Sequence, residues 1–257
     1  MSVSPHIFHG ETEMRKGLPA AILAGFVVTG CVNHPAKQSA ADIRLQLGLH
    51  YLAVKDYAAA QRNLLRAQQA APKDYRVPLA LARVAQAQQN SAQTRWHYQR
   101  AQQLAPLNGY VANNYGAFLC GLRQYDEAHQ QFKLAIEAQE IDARQDAFLF
   151  SGYCYLQADE SAAAREQLGY ALDAAPEQGS QLLREVERRL EQQEQQSVPL
   201  LLEVYHQRLP ATAESMWLQI RFAAQQGNAA DVTRYGDRLA RSFPQSIQYQ
   251  RYLANEY

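Results

Sequence analysis

Proline recurs at positions 72, 106, 176, 210 and 244, and the segments it closes share one arrangement of small and bulky residues on a 34-residue beat. A period of that length marks a chain built from stacked copies of one small unit, each burying its apolar face against the next. The first copy places Leu47-Gly48 and Tyr51 in a first helix and Ala60, Leu64 and Ala67 in a second, with Pro72 as its last marked position. A small residue stands where the two helices cross, and bulky residues fill the space beside it.

The copy ending at Pro106 carries Leu81-Ala82, Ala85, Tyr98 and Ala101 at matching places. The third carries Tyr115-Gly116, Leu119, Ala128, Phe132 and Ala135, with Glu140 where the proline belongs. The fourth has Gly152, Tyr155, Ala164, Leu168, Ala171 and Pro176 after a spacing of thirty-six, so a two-residue insertion near Ile141-Asp142 is expected in an interhelix turn. These marks are those of the tetratricopeptide repeat. Copies five and six keep the spacing but lose the signature. Glu185-Val186 replaces the small pair of the fifth, where Leu182, Leu183, Val186 and Leu190 keep a helical stripe. The sixth has Gln219-Ile220 and Gly236 at key positions, with Trp217, Phe222 and Leu239 for packing. Residues 245–257 read as a capping helix, because a stacked array closes its end with a partly polar element. The predicted fold is all-α: a tetratricopeptide-repeat superhelix of about six helix-turn-helix repeats over residues 40–257, plus the C-terminal capping helix.

The N-terminus has a different character. Met14-Arg15-Lys16 opens a short positive segment, Leu18 to Val28 is apolar, and Val28-Thr29-Gly30-Cys31 follows, in the order of a secretory signal. The apolar run is too short to span a bilayer as a mature helix. Ending at a cysteine preceded by a small residue, residues 1–30 resemble a bacterial lipoprotein signal peptide, with Met14 better placed than Met1 as a start. The resemblance implies that Cys31 is acylated and becomes the first mature residue. Acyl chains, at about 0.8 kcal/mol per buried methylene, would hold the protein on a membrane. Val32 stands where Asp would favour inner-membrane retention, so the resemblance points to a lipid-anchored protein on the periplasmic side of the outer membrane. Residues 31–39 are expected to form a short lipidated tether that spans at most about 26 Å.

Lys plus Arg balances Asp plus Glu at 25 each, which leaves no electrostatic footprint for nucleic acid. The histidines at 50, 97, 129 and 206 lack a second histidine or cysteine at three or four residues, so no metal site is expected. With no Gly-rich phosphate loop and no nucleophile elbow, we assign no catalytic residue, no cofactor and no small-molecule substrate. Cys120 and Cys154 lie in the first helices of repeats three and four, at about the same level. In an oxidising compartment they are either a disulfide or two buried thiols.

In such an array the first helices line the concave face, and defined repeat positions point into it. These are Leu45, Leu49 and Leu52 in repeat one, Leu79 in repeat two, Tyr110 and Asn113 in repeat three, and Leu149, Tyr153 and Leu156 in repeat four. They predict an apolar partner-binding trough. Asn113 and Asn114 are candidates for contacts to a peptide backbone, since an amide pairs with both of its groups. A carboxylate clamp of the kind that grips chaperone tails is excluded, because Leu45 and Leu49 stand at the required polar positions.

A lipoprotein signal followed by about six such repeats resembles the type IV pilus pilotins, the PilF/PilW family. The likeness covers nearly the whole chain and is sharpest at Asn113-Asn114-Tyr115-Gly116-Ala117-Phe118-Leu119-Cys120, continuing through Tyr125-Asp126-Glu127-Ala128, Phe132 and Gly152-Tyr153-Cys154. The resemblance implies a non-enzymatic partner of the pilus secretin subunit that assists its outer-membrane localisation and multimerisation, held to the membrane through Cys31. The competing expectation is a scaffold lipoprotein of another envelope machine, in barrel assembly or peptidoglycan remodelling.

Overall fold

The computed structural model describes residues 39–257. Cys31, the expected signal peptide and all of the tether except Ser39 lie outside the described residues. Within them the chain is helical and has no strand. Six antiparallel pairs follow in order: α1 (Ala40–Ala53) with α2 (Tyr57–Ala70), α3 (Arg76–Ala87) with α4 (Ser91–Leu104), α5 (Gly109–Gly121) with α6 (Tyr125–Ile136), α7 (Ile141–Gln157) with α8 (Ser161–Ala174), α9 (Gly179–Glu191) with α10 (Val198–Arg208), and α11 (Ala213–Gln225) with α12 (Ala229–Ser242). The short α13 (Ile247–Leu253) closes the end. This is a tetratricopeptide-repeat superhelix with a cap.

The helix pairs close where the sequence places its small residues. A Cβ on Gly48 would lie 2.5 Å from Leu64 Cγ, and one on Gly152 2.6 Å from Leu168 Cγ and 3.2 Å from the Leu168 backbone nitrogen. Repeat five has Val186 at this place, and α9 and α10 pack less extensively than the other pairs. Repeat six reverses the sizes. Ile220 is buried on the first helix, and Gly236 on the second makes room for Tyr252 of α13, whose Cζ lies 2.1 Å from where a Cβ would stand. The cap thus supplies the bulk that the repeat lacks.

A second periodic feature runs through all six units. Lys55, Gln89, Arg123, Asp159, Gln193 and Gly227 have φ between 60° and 67°, each at the turn between first and second helix. The next residue donates its backbone N–H five residues back, as Asp56 does to Tyr51, Asn90 to Ala85 and Asn228 to Ala223, each at 2.9 Å. This is a Schellman stop that satisfies orphan carbonyls; in five of the units its second residue is at once the N-cap of the following helix, whereas in repeat five Glu194 opens a short 3-10 turn, Gln195–Ser197, ahead of α10.

The two-residue insertion in repeat four lies in a helix, not in a turn, which corrects the sequence expectation. The connections before α5 and before α7 both contain four residues. However, α7 begins eleven residues before Gly152, whereas α5 begins seven before Gly116. The insertion, with the early end of α6, adds a turn to α7. Its Ala143 and the preceding Ala138 pack on Gly109, where a Cβ would approach them to 2.9 and 2.8 Å. Glu140, in place of proline, accepts from Asn108 Nδ2 at 2.6 Å and from the Gly109 N–H at 3.2 Å, supplying negative charge to the start of α5.

Five apolar clusters run along the array among the described residues, one of them a small alanine cluster of Ala112, Ala135 and Ala147. Of the other four, Leu64 and Leu81 belong to the first, Tyr98, Tyr115 and Phe132 to the second, Leu168, Leu182 and Leu201 to the third, and Trp217 and Leu239 to the fourth. A disulfide joins Cys120 of α5 to Cys154 of α7, with Cα atoms 5.8 Å apart.

Candidate functional site

The face built from the first helices is open over the first three repeats and closed over the fourth. On α3, Val77, Ala80, Leu81, Ala82, Val84 and Ala85 are buried, leaving Arg76, Leu79, Arg83 and Gln86 on one accessible strip at helical spacing. On α5 the equivalent strip is Tyr110, Asn114 and Ala117, and on α1 Leu49 and Leu52 are half-buried. The face therefore brings together Leu49, Leu52, Leu79, Tyr110 and Asn114 from among the residues expected to line it.

The other five candidates are buried, so one continuous trough through four repeats is corrected. Leu149, Tyr153 and Leu156 on α7 share a cluster with Leu182, Leu183, Val186 and Leu190 of α9. The leucine stripe of repeat five covers the fourth repeat. Leu45 packs with Leu64, Leu81 and Val84 between the first two repeats. Asn113 is 4% exposed. It lies two helical turns before Cys120 and one after Gly109, on the face of α5 that meets α7 through the disulfide and Ala143. Its Oδ1 has no hydrogen-bond partner among the described residues. Asn114 donates its side-chain amide to the Tyr110 carbonyl at 2.8 Å, within its own helix.

The chemistry of the open face is set by few groups. Arg76 is held by Asp74 at 2.6 Å and by Asp42 of α1 at 2.8 Å; hydrogen bonds from Ser39 and Arg76 hold the Asp42 carboxyl below its ordinary range. Burial, with the nearby carboxylates of Asp142, Glu140 and Asp146, pushes the Tyr110 hydroxyl up. Beneath Leu79, Tyr98 stacks on Tyr115 with ring centres 5.4 Å apart. Its hydroxyl donates to Gln86 Oε1 at 3.0 Å, and burial raises its pKa strongly. At the closed end, burial would raise the Glu185 carboxyl, but hydrogen bonds and charge from Arg188 and Arg189 hold it low. Arg189 Nε donates to Glu185 at 2.8 Å within the covering helix α9.

Sequence reasoning missed two features. Arg83 occupies the repeat position of Leu49 and Ala117, and the signal was its place on the α3 strip. A cavity of about 410 Å³ lies between α10, α11 and α12, lined by Leu202, His206, Phe222, Asp231 and Tyr235 among others; the degenerate sixth repeat gave no sign of it. Among the described residues no group of three or more His, Cys, Asp or Glu can hold a metal ion, and no helix is long and apolar enough to cross a membrane.

No family model matches the chain. The type IV pilus assembly protein PilF of Pseudomonas aeruginosa is 28% identical over 238 residues, which span 89% of this chain and 94% of that protein. An uncharacterized protein of Haemophilus influenzae is 33% identical over 133 residues, 50% of this chain and 74% of its own length. The solved structure of Pseudomonas aeruginosa PilF superposes with a TM-score of 0.58 at 28% identity, covering 84% of this chain and 97% of the other. PilW, a widely conserved type IV pilus biogenesis factor, superposes with a TM-score of 0.60 over 84% of this chain and 99% of its own, at 23% identity.

Proposed function

This chain belongs to the tetratricopeptide-repeat family of type IV pilus biogenesis that includes PilF and PilW, and from that premise we propose that it is an outer-membrane lipoprotein pilotin for the pilus secretin. Acylation at Cys31 places it on the lipoprotein sorting route. The open face of repeats one to three holds a segment of the secretin subunit until that subunit reaches the outer membrane and joins its ring. Repeats five and six brace the array and close its fourth repeat. The observation that carries the reading is the likeness to PilF along nearly the whole chain. The partly buried Leu49, Leu52 and Leu79 support the placement of the partner, since apolar side chains left in part accessible together on a concave scaffold are what a bound polypeptide covers.

Two variants test the two halves of the proposal. Cys31→Ala is expected to leave a folded, soluble protein in cells whose secretin rings fail to form at the outer membrane; normal ring assembly would remove the lipid-carrier half. Leu49→Asp with Leu52→Asp is expected to keep the fold and lose secretin capture, and unchanged capture would remove the face as the binding surface.

A further inference from the structure

The accessible strip of α3 carries one group whose chemistry no other described residue completes. Arg76 is neutralised by Asp74 and Asp42, and Gln86 accepts from Tyr98. Between them Arg83 is half-buried, with no hydrogen bond or ion pair to any described residue. Every other described arginine that is not exposed has an acceptor: Arg44 on Asn63, Arg95 on Glu127, Arg100 on Gln103, Arg188 and Arg189 on Glu185, and Arg221 on Glu187. Burial draws the pKa of Arg83 downward, with only the charge of the Tyr98 hydroxyl acting the other way. A guanidinium half withdrawn from water with no counter-charge is less well solvated than a free one. A charge left incomplete in this way marks a candidate site for a group from outside the chain.

The surroundings say what that is. Leu49, at the same repeat position in α1, and Ala117, at the same position in α5, flank Arg83 along the face, and Leu79 lies one helical turn before it. The cation therefore stands in the middle of an elongated apolar strip. A polyanion is disfavoured, because the next cation along the strip is already neutralised twice. The two best-formed clefts among the described residues lie elsewhere, between α10, α11 and α12 and against α4. We propose that Arg83 receives the side-chain carboxylate of an Asp or Glu that is flanked by apolar residues within the partner segment. The planar fork of the guanidinium suits such a group in a two-point contact. The assignment rests on the open face being the partner surface, and adds to it the register-fixing contact.

The test uses the purified protein and a set of fifteen-residue peptides tiling the secretin encoded by the same organism, with binding read by fluorescence anisotropy. One stretch with an acidic residue between apolar ones is expected to bind, and replacing that Asp by Asn or Glu by Gln should weaken it about tenfold or more. Arg83→Met should weaken the acidic peptide to the same degree and abolish the difference between acid and amide forms. Its melting temperature should be no lower than the unmodified protein's, whereas an arginine with a purely structural role would lower it. Equal binding of acid and amide peptides, or full affinity in Arg83→Met, would overturn the proposal. If those results accompany a loss of binding in Leu49→Asp with Leu52→Asp, the face stands without its charge contact. Unchanged binding in that double variant, or no peptide bound, would overturn both.

Discussion

Single residues decide how closely the helices approach, and glycine matters only where a neighbour occupies the place of its Cβ. At Gly152 that neighbour includes the Leu168 backbone, so rotation of a side chain cannot relieve the contact. Gly152→Ala is expected to lower stability by about 1–2 kcal/mol in urea unfolding, although alanine is the better helix former. Gly121→Ala, with nothing within 4 Å, should be neutral or stabilising by up to about 1 kcal/mol. The crossing residues were legible in the sequence because size at a fixed spacing is what such packing demands. Asn113 was not, since its repeat position points to the concave face in a regular array but here lies against the lengthened α7. Arg83 was equally hidden, because an unpaired charge is recognised only once its possible partners have positions.

The helical elements show what carries the beat where the signature fades. Repeats five and six were recognisable by spacing alone, and the structure places the same left-handed stop in their turns as in the first four. That stop tolerates Lys, Gln, Arg, Asp and Gly, so side-chain identity does not betray it. A side chain in this conformation costs about 1 kcal/mol relative to glycine, and Arg123→Gly is expected to raise the unfolding midpoint by a corresponding amount. The extra turn of α7 was misplaced because a count of residues between marks cannot say whether an insertion loops out or winds in. That longer helix is tied to α5 by the Cys120–Cys154 bond across a separation of 34 residues. By loop-closure entropy the bond contributes about 3–4 kcal/mol. Cys120→Ser with Cys154→Ser should melt clearly lower than the oxidised protein, and added reductant should lower the oxidised protein to the same point.

Across the whole molecule, the array divides into an open half and a braced half, and the division follows from where repeat five lays its leucine stripe. The six repeats and the cap were legible from period and residue size; the closure of repeat four was not, because it depends on how far one unit rotates over the next. Stability should also respond to pH as a property of the whole array. His97, His129 and His206 are each pulled below the ordinary imidazole range, by burial in every case, with Arg238 adding to it at His206 and Glu160 and Asp126 opposing it at His129. Neutral imidazole is thus the folded form. The stability tied to it is complete above the unfolded value of about 6.5 and is lost as pH falls through the depressed folded values. The urea midpoint should fall between pH 7 and pH 5, and a flat profile there would contradict the assignment. On the proposed reading, the open face of repeats one to three is where the secretin is held. Photo-crosslinkers placed singly at Leu52, Leu79 and Asn114 in intact cells, with the exposed Gln226 beside the α10–α12 cavity as control, test this. Secretin adducts from the first three positions and none from the fourth are the expected result; adducts from Gln226 alone, or no secretin adduct from the open face, would contradict it.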